Sequence, residues 1–363
     1  MGELYIVFIV ALIATAIATP IAIKLAPKIG AMDIPKDNRR VHNHPIPRFG
    51  GIAIFCGILA GFVALMPLSK QMIGLLVGSC FIVLVGLFDD LKGMAPKLKL
   101  ACQIVAAVIL WFSDIRVTGL TNPFTRNFIN LPGWIAFIVT IVWIVGITNT
   151  INLIDGLDGL AAGITFIASL AVAYTAYYKC MYETMMIVLA IAGACLGFLI
   201  YNFYPAKIFM GDAGSMLLGY LMSSVALVGI APSKSAMLFS TIVPVLVLAL
   251  PIFDTSFAIV RRVANHKPIM QADKGHLHHR IMAMGFGQRR TVLALYCISA
   301  IMGISGILWT RNLYVEAVVL AAIAFLLIII FLGIGIVDKK DPDNNKEKRA
   351  ELKAKIKEEV NKQ

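Results

Sequence analysis

Residues 149–163 read NTINLIDGLDGLAAG. Asp155 and Asp158 lie three apart, each followed by a glycine, and long apolar runs flank them on both sides. Ionisable side chains within a bilayer are costly and turn toward protein or a water-filled cavity. The stretch therefore sets two carboxylates on a glycine-bearing bend at a membrane surface, where something must hold them.

The rest of the chain agrees with a membrane setting. Its 363 residues are 59% hydrophobic and only 14% charged, against about a quarter charged in soluble domains. Mean hydropathy is +0.85. Eleven apolar runs approach the length of about 17–25 residues that crosses a bilayer. They cover about 3–25, 50–66, 72–88, 100–115, 133–148, 159–178, 184–201, 214–230, 236–258, 291–309 and 313–336. The expected fold class is all-α, a polytopic membrane protein of about 11 transmembrane helices. A membrane domain over 1–337 precedes a charged tail over 338–363, where Leu352, Ile356 and Val360 recur every four residues. The first run does not read as a cleavable signal, because its only early charge is Glu3 and Lys24 and Lys28 follow it.

Net charge is +12, and its placement is one-sided. With alternating loops, 26 of the 32 Lys and Arg fall on one side, leaving Lys70, Arg116, Arg126, Lys179, Lys234 and Arg311 on the other. The rich side is expected in the cytosol, and a basic stripe spread along one membrane face excludes a nucleic-acid partner. The six cysteines form no close pair and read as small packing residues.

Of twenty acidic residues, nine fall in the loops on the basic side or at the adjoining run ends. Asp89 and Asp90 end a run in GLFDDLKGMAPKLKLACQ, with Lys92, Lys97 and Lys99 close behind. Adjacent carboxylates need a cation or a shared proton, and acids have the wrong sign for a helix C-terminus. Asn149, Asn152, Asp155 and Asp158 make a polar ladder in three-residue steps. In YNFYPAKIFMGDAGSMLLGY, Pro205 breaks one element and Asp212 opens the next. There Asp212 is either a plain N-cap or part of an anion-binding helix start. His276, His278 and His279 fall within four residues of a loop rich in cations. They suit phosphate donors; as zinc ligands they lack the i, i+4 spacing. HNHPIPRFGG, with Arg48, could form a backbone nest near phosphate. Carboxylates bind Mg²⁺ best when phosphate oxygens complete its shell, so one face carries the parts for phosphoryl transfer.

FDD, NLIDGLDGLAAG, NFYPAKIFMGDAGS and HLHHR, in this order, resemble the polyprenyl-phosphate N-acetylhexosamine-1-phosphate transferases, from about residue 30 to 330. PRFGG and HLHH look closer to the branch that makes undecaprenyl-diphospho-N-acetylglucosamine for teichoic acid or O-antigen. The phospho-N-acetylmuramoyl-pentapeptide transferases typically show an unbroken triple histidine, where this chain has Leu277. The resemblance implies a cytosolic-face active site in a bacterial plasma membrane. It also implies a UDP-sugar donor, undecaprenyl phosphate as acceptor, UMP as product and Mg²⁺ as cofactor, with Mn²⁺ as a substitute. A homodimer is compatible with it.

By that resemblance Asp212 is the main Mg²⁺ ligand, with Asp89 also at the metal. Asp89 is the candidate base toward the lipid phosphate and Asp90 supports it. Asn149, Asn152 and Asp155 line the centre, Asp158 faces uracil, and Phe209 stacks on it. His278 and His279 hold diphosphate; Lys99, Arg48, Asn202 and His276 belong to the same substrate-binding set. A cation-coupled transporter would carry its acids near the bilayer midplane, whereas these gather at one surface.

The topology is open to single-cysteine labelling in a cysteine-free background. A cysteine replacing Gly275 should resist an impermeant thiol reagent on intact cells and react once the membrane is opened. Labelling on intact cells would reverse the orientation.

Overall fold

The computed structural model describes residues 2–34, 44–65, 68–121, 128–228, 243–266 and 275–337. The expected tail helix over 338–363, the loop around Lys234 and most of the loop before His276 lie outside them.

The chain is an α-helical membrane bundle. Its helices are α1 Gly2–Ile29, α2 Gly50–Leu65, α3 Lys70–Lys92, α4 Pro96–Phe112, α5 Gly133–Ile154 and α6 Leu160–Tyr178. They continue as α7 Tyr182–Asn202, α8 Gly211–Val225, α9 Ala249–Ala264, α10 Leu277–Ala283, α11 Gln288–Thr310 and α12 Tyr314–Val337. Residues 243–247 add a helical turn before α9. Two short antiparallel ladders complete the described residues. β1 Met32–Asp33 pairs with β2 Ile46–Pro47, and β3 Gly119–Thr121 pairs with β4 Phe128–Asn130.

Local chemistry sets several boundaries. Ser69 starts α3 by accepting the Met72 N–H at 3.2 Å. Gly93, at φ +73°, ends it, and Pro96 opens α4 without wasting a donor.

Among the described residues, seven helices are long and apolar enough to cross a membrane: α1, α3, α5, α6, α7, α11 and α12. They coincide with seven of the expected runs. The runs at 50–66, 100–115, 214–230 and 236–258 fall instead on α2, α4, α8 and α9, of 16, 17, 15 and 16 residues. At 1.5 Å per residue α8 spans about 22 Å, short of a hydrocarbon layer about 30 Å thick. It can be short because protein surrounds it. Every residue of α8 except Asp212 is buried, and α2, α3, α5, α6 and α7 all touch it.

Glycines bring the packed helices together. α1 lies along α2 and α7. A methyl group at Gly57 would collide with Thr15, and one at Gly193 or Gly197 with the backbone of α1 at Phe8 or Leu12. Gly57/Gly61 and Gly193/Gly197 are small residues four apart, the spacing that lets helices approach closely in lipid. α8 is gripped similarly at its first turn. Gly51 of α2 and Gly86 of α3 both abut the backbone at Ala213.

This grip brings the C-terminal ends of α3, α5 and α7 to the N-terminal ends of α4, α8 and α11, at one end of the bundle. The β3–β4 ladder lies at the other ends of α4 and α5.

Gly86 and Gly146 separate packing from propensity. Gly86→Ala drives a methyl into the α8 backbone, which should cost about 1–3 kcal/mol and lower the melting temperature in detergent. At Gly146 a methyl meets nothing within 4 Å, so Gly146→Ala should be neutral or slightly stabilising. Equal melting temperatures for the two variants would contradict the grip.

Candidate active site

The site begins with a carboxylate that serves a helix other than its own. Asp90 ends α3, and its side chain is 1% exposed. Its Oδ1 accepts the Asp212 N–H at 2.8 Å and its Oδ2 accepts the Ala213 N–H at 3.0 Å. These are the free first amides of α8, which has no side-chain cap of its own at Met210. Gly211, at φ +68°, brings the chain over Asp90 so closely that a Cβ there would lie 2.5 Å from Asp90 Oδ2. Asp212 is therefore not the cap of α8; Asp90 is.

Arg48 completes this corner. Its Nε is 2.9 Å from Asp90 Oδ1 and an Nη is 3.1 Å from Asp212 Oδ2. The approach to α2 is tied down around it. Phe209 N–H donates to Pro47 O at 2.8 Å and Gly50 N–H donates to Phe209 O at 3.0 Å. Burial alone would lower the Arg48 pKa, but Asp90 and Asp212 raise it above its ordinary value.

Freed from capping, Asp212 turns to Lys99. Lys99 Nζ, on α4, lies 3.1 Å from Asp212 Oδ1 and 2.9 Å from Asp89 Oδ2. The Asn152 amide fits with its nitrogen donating to Asp212 Oδ1 at 2.9 Å and to Ser215 Oγ at 2.8 Å, while its oxygen accepts from Lys99 Nζ at 3.1 Å. Ser215 spends its proton on Gly211 O at 2.9 Å, which leaves its lone pairs for Asn152. Burial works against ionisation of Asp212, but Arg48 and Lys99 prevail and hold its carboxyl below the usual range.

The cleft above is about 560 Å³, a size ordinary for small-molecule sites. Arg48, Asn152, Asp155, Asp158, Asn202, Phe209, Asp212 and His279 all line it, together with Asp33, His44, Tyr204 and Gln288. Burial pushes the Asp155 carboxyl up to about 7, and the neighbouring Asp212, Asp90 and Asp158 add to this against Arg48. Asp158 accepts the Ala206 N–H at 3.0 Å. Asn202 accepts from Gly159 N–H at 3.1 Å and donates to Ile208 O at 2.8 Å, so it also shapes the loop that carries Phe209.

Six expected site residues do not line the cleft: Asp89, Asp90 and Lys99, described above, and Asn149, His276 and His278. Asn149 donates to Gln103 Oε1 at 2.6 Å and accepts from Gln103 Nε2 at 3.2 Å, one turn below Asn152. His276 and His278 are buried. Burial, reinforced by His279, lowers the His278 pKa to about 3, so the ring is neutral.

Several contributors were not singled out in the sequence. Gln103 is 1% exposed and lies four residues after Lys99, on the same face of α4. Ser215 stands in the same relation to Gly211. Asp33 is one of the nine acids on the basic side and His44 lies in HNHPIPRFGG, whereas Gln288 carries no local signal beyond polarity.

The donor set fits Mg²⁺. Asp89 and Asp212 offer hard oxygens that already converge on one cationic group, Lys99 Nζ. Among the described residues no cluster of three or more His, Cys, Asp or Glu could hold a metal ion unaided.

Comparison with known proteins places these residues in a family. Residues 72–230 match the model of glycosyl transferase family 4. The chain is 41% identical over 342 residues to a protein of Bacillus subtilis (strain 168) named probable undecaprenyl-phosphate N-acetylglucosaminyl 1-phosphate transferase, covering 94% of each. It is 34% identical over 377 residues to the decaprenyl-phosphate N-acetylglucosaminephosphotransferase of Mycobacterium tuberculosis (strain ATCC 25618 / H37Rv), covering 94% of this chain and 92% of that one. The chain belongs to glycosyl transferase family 4. A phospho-N-acetylmuramoyl-pentapeptide-transferase of Pelotomaculum thermopropionicum is 32% identical over 332 residues, covering 85% of this chain and 98% of that one. The family match spans Asp89, Asp90, Lys99, Asp155 and Asp212. Arg48 and the histidines lie outside it, so their place in the site rests on the geometry.

The raised Asp155 gives a pH test. Its folded pKa is about 7 against about 3.9 unfolded, so the folded state binds the extra proton between these values and loses stability as pH rises through them. Asp155→Asn should therefore raise the melting temperature most at pH 8, less at pH 5 and little near pH 3. Equal shifts at all three pH values would show that Asp155 ionises freely.

Proposed function

We propose that this chain transfers N-acetylglucosamine 1-phosphate from UDP-N-acetylglucosamine to undecaprenyl phosphate, releasing UMP. It would do so at the cytosolic face of a bacterial plasma membrane, as the first membrane step of a teichoic acid or O-antigen type glycopolymer. The eleven-span topology is part of this reading. The observation that carries it is the cluster of Asp89, Asp212, Asn152 and Lys99, of which Asn152 and Asp212 line the cleft. The relatives' names supply the polyprenyl-phosphate acceptor and the transferred sugar phosphate; the UDP-sugar donor comes from the family resemblance.

In this reading the diphosphate lies across Arg48, Lys99 and His279, with uracil against Phe209 and Asp158. Asp212 and Asp89 would hold Mg²⁺. Bound there, the ion would withdraw charge from the phosphoryl oxygens and the leaving group. An oxygen of the lipid phosphate attacks the sugar-bearing phosphorus, and the bond from that phosphorus to the bridging oxygen breaks, leaving UMP. A phosphate monoester has a second pKa near 6, so Asp89 accepts its remaining proton when it is still present. No enzyme nucleophile is required.

Purified protein with undecaprenyl phosphate, Mg²⁺ and UDP-N-acetylglucosamine should release UMP and stop on adding EDTA. UDP as product would mean cleavage of the sugar C1–O bond and would overturn the assignment. UMP formed only from a muramoyl-pentapeptide donor would change the substrate. Asp212→Asn should insert and fold yet lose orders of magnitude in turnover. Activity within about tenfold of wild type, about 1.4 kcal/mol of barrier, would remove Asp212 from the chemistry.

A further inference from the structure

The histidine segment is anchored from behind. Asp254, on α9, is 5% exposed. Its Oδ1 accepts the Leu277 N–H at 2.8 Å, and its Oδ2 lies 3.0 Å from His276 Nδ1. A carboxylate can only accept, so it fixes the His276 proton on Nδ1 and the ring orientation with it. The His276 ring lies parallel to that of His278, with centroids 5.9 Å apart and 5° between planes. His278 meets His279 at 4.2 Å, and His279 lines the cleft.

The far side of this stack is equally tight. His278 is 2% exposed, and neither of its ring nitrogens has a hydrogen-bond partner among the described residues. Its Nε2 lies 2.6 Å from where a Cβ on Gly156 would stand. Gly156 follows Asp155 in the bend that opened the sequence analysis. The rings are therefore wedged between a carboxylate on α9 and a bare backbone at the cleft floor.

We infer that Asp254 is a positioning residue for the donor diphosphate, acting through His276 to set His278 and His279 against the cleft. The inference rests on the proposed UDP-sugar reading and adds a residue to it. A second tether should keep the segment folded when Asp254 is changed. Arg261 donates to Gly275 O at 2.7 Å and Arg280 Nε donates to it at 3.1 Å. An asparagine at 254 can still accept the Leu277 N–H through its oxygen, but it turns an N–H toward His276 Nδ1, so the ring keeps this partner only by moving its proton to Nε2, and the tautomer that Asp254 fixes is lost.

Inhibition by UDP and by uridine separates positioning from general disruption, because uridine has the base but no phosphate. In Asp254→Asn, KM for UDP-N-acetylglucosamine and the inhibition constant of UDP should each rise about tenfold or more. The inhibition constant of uridine and KM for undecaprenyl phosphate should stay near wild type, and Asp254→Glu should recover part of the loss. Should Asp254→Asn fail to fold, Gly156→Ala, which presses His278 from the other side, is expected to show the same UDP-selective loss. UDP and uridine weakened alike, or neither weakened, would overturn the inference. Wild-type protein assayed in parallel must release UMP. Without that release the proposed function falls and the inference with it, whereas UMP release beside an unaffected variant removes only the role of Asp254.

Discussion

The site depends on one carboxylate between two helices. At its own end of α3, Asp90 has the wrong sign for the helix dipole. At the start of α8 it has the right one, and it accepts the two amides there at 2.8 and 3.0 Å. A buried acid is tolerated when its charge is matched and its oxygens are filled, and Arg48 supplies the match at 2.9 Å. Because Asp90 satisfies the start of α8, Asp212 is released to face Lys99 and Asn152. The arrangement also requires glycines at 51, 86 and 211, where any side chain would separate the elements that Asp90 joins.

Two aspartates in one cleft end up with opposite tendencies. Asp212 lies against Arg48 and Lys99 and is held ionised. Asp155 has burial and three neighbouring acids against a more distant Arg48, and its carboxyl rises to about 7. Environment alone separates them, which is how one site keeps a fixed charge beside a group near its titration point.

Much of this was legible in the sequence because it is local. Apolar runs marked the long helices, Gly156 and Gly159 marked a bend, and Pro205 marked a break between elements. The acids stood out because the rest of the chain is apolar. What was not legible is pairing across long separations. Nothing near Asp90 says that it caps a helix 122 residues later, and nothing near His276 says that Asp254 fixes its ring. The family resemblance places Asn149 at the centre, yet Gln103 takes its amide inside the bundle. The run at 214–230 read like the other spans because an apolar sequence reports apolar neighbours, whether lipid or protein. Only the structure separates a helix facing the bilayer from one that never meets it.

That last distinction has a mechanical meaning. A helix in contact with lipid must tilt, stretch its surroundings or distort them when the membrane thickens or thins. α8 carries Asp212 at its first turn and has every other residue covered by protein, so it has no hydrocarbon to match. The outer helices, with isoleucines along α1 and α12 turned outward, take up such changes. The cleft end of the molecule is thus suspended inside its own scaffold, and a cell can alter the chain length of its phospholipids without moving the carboxylate of Asp212.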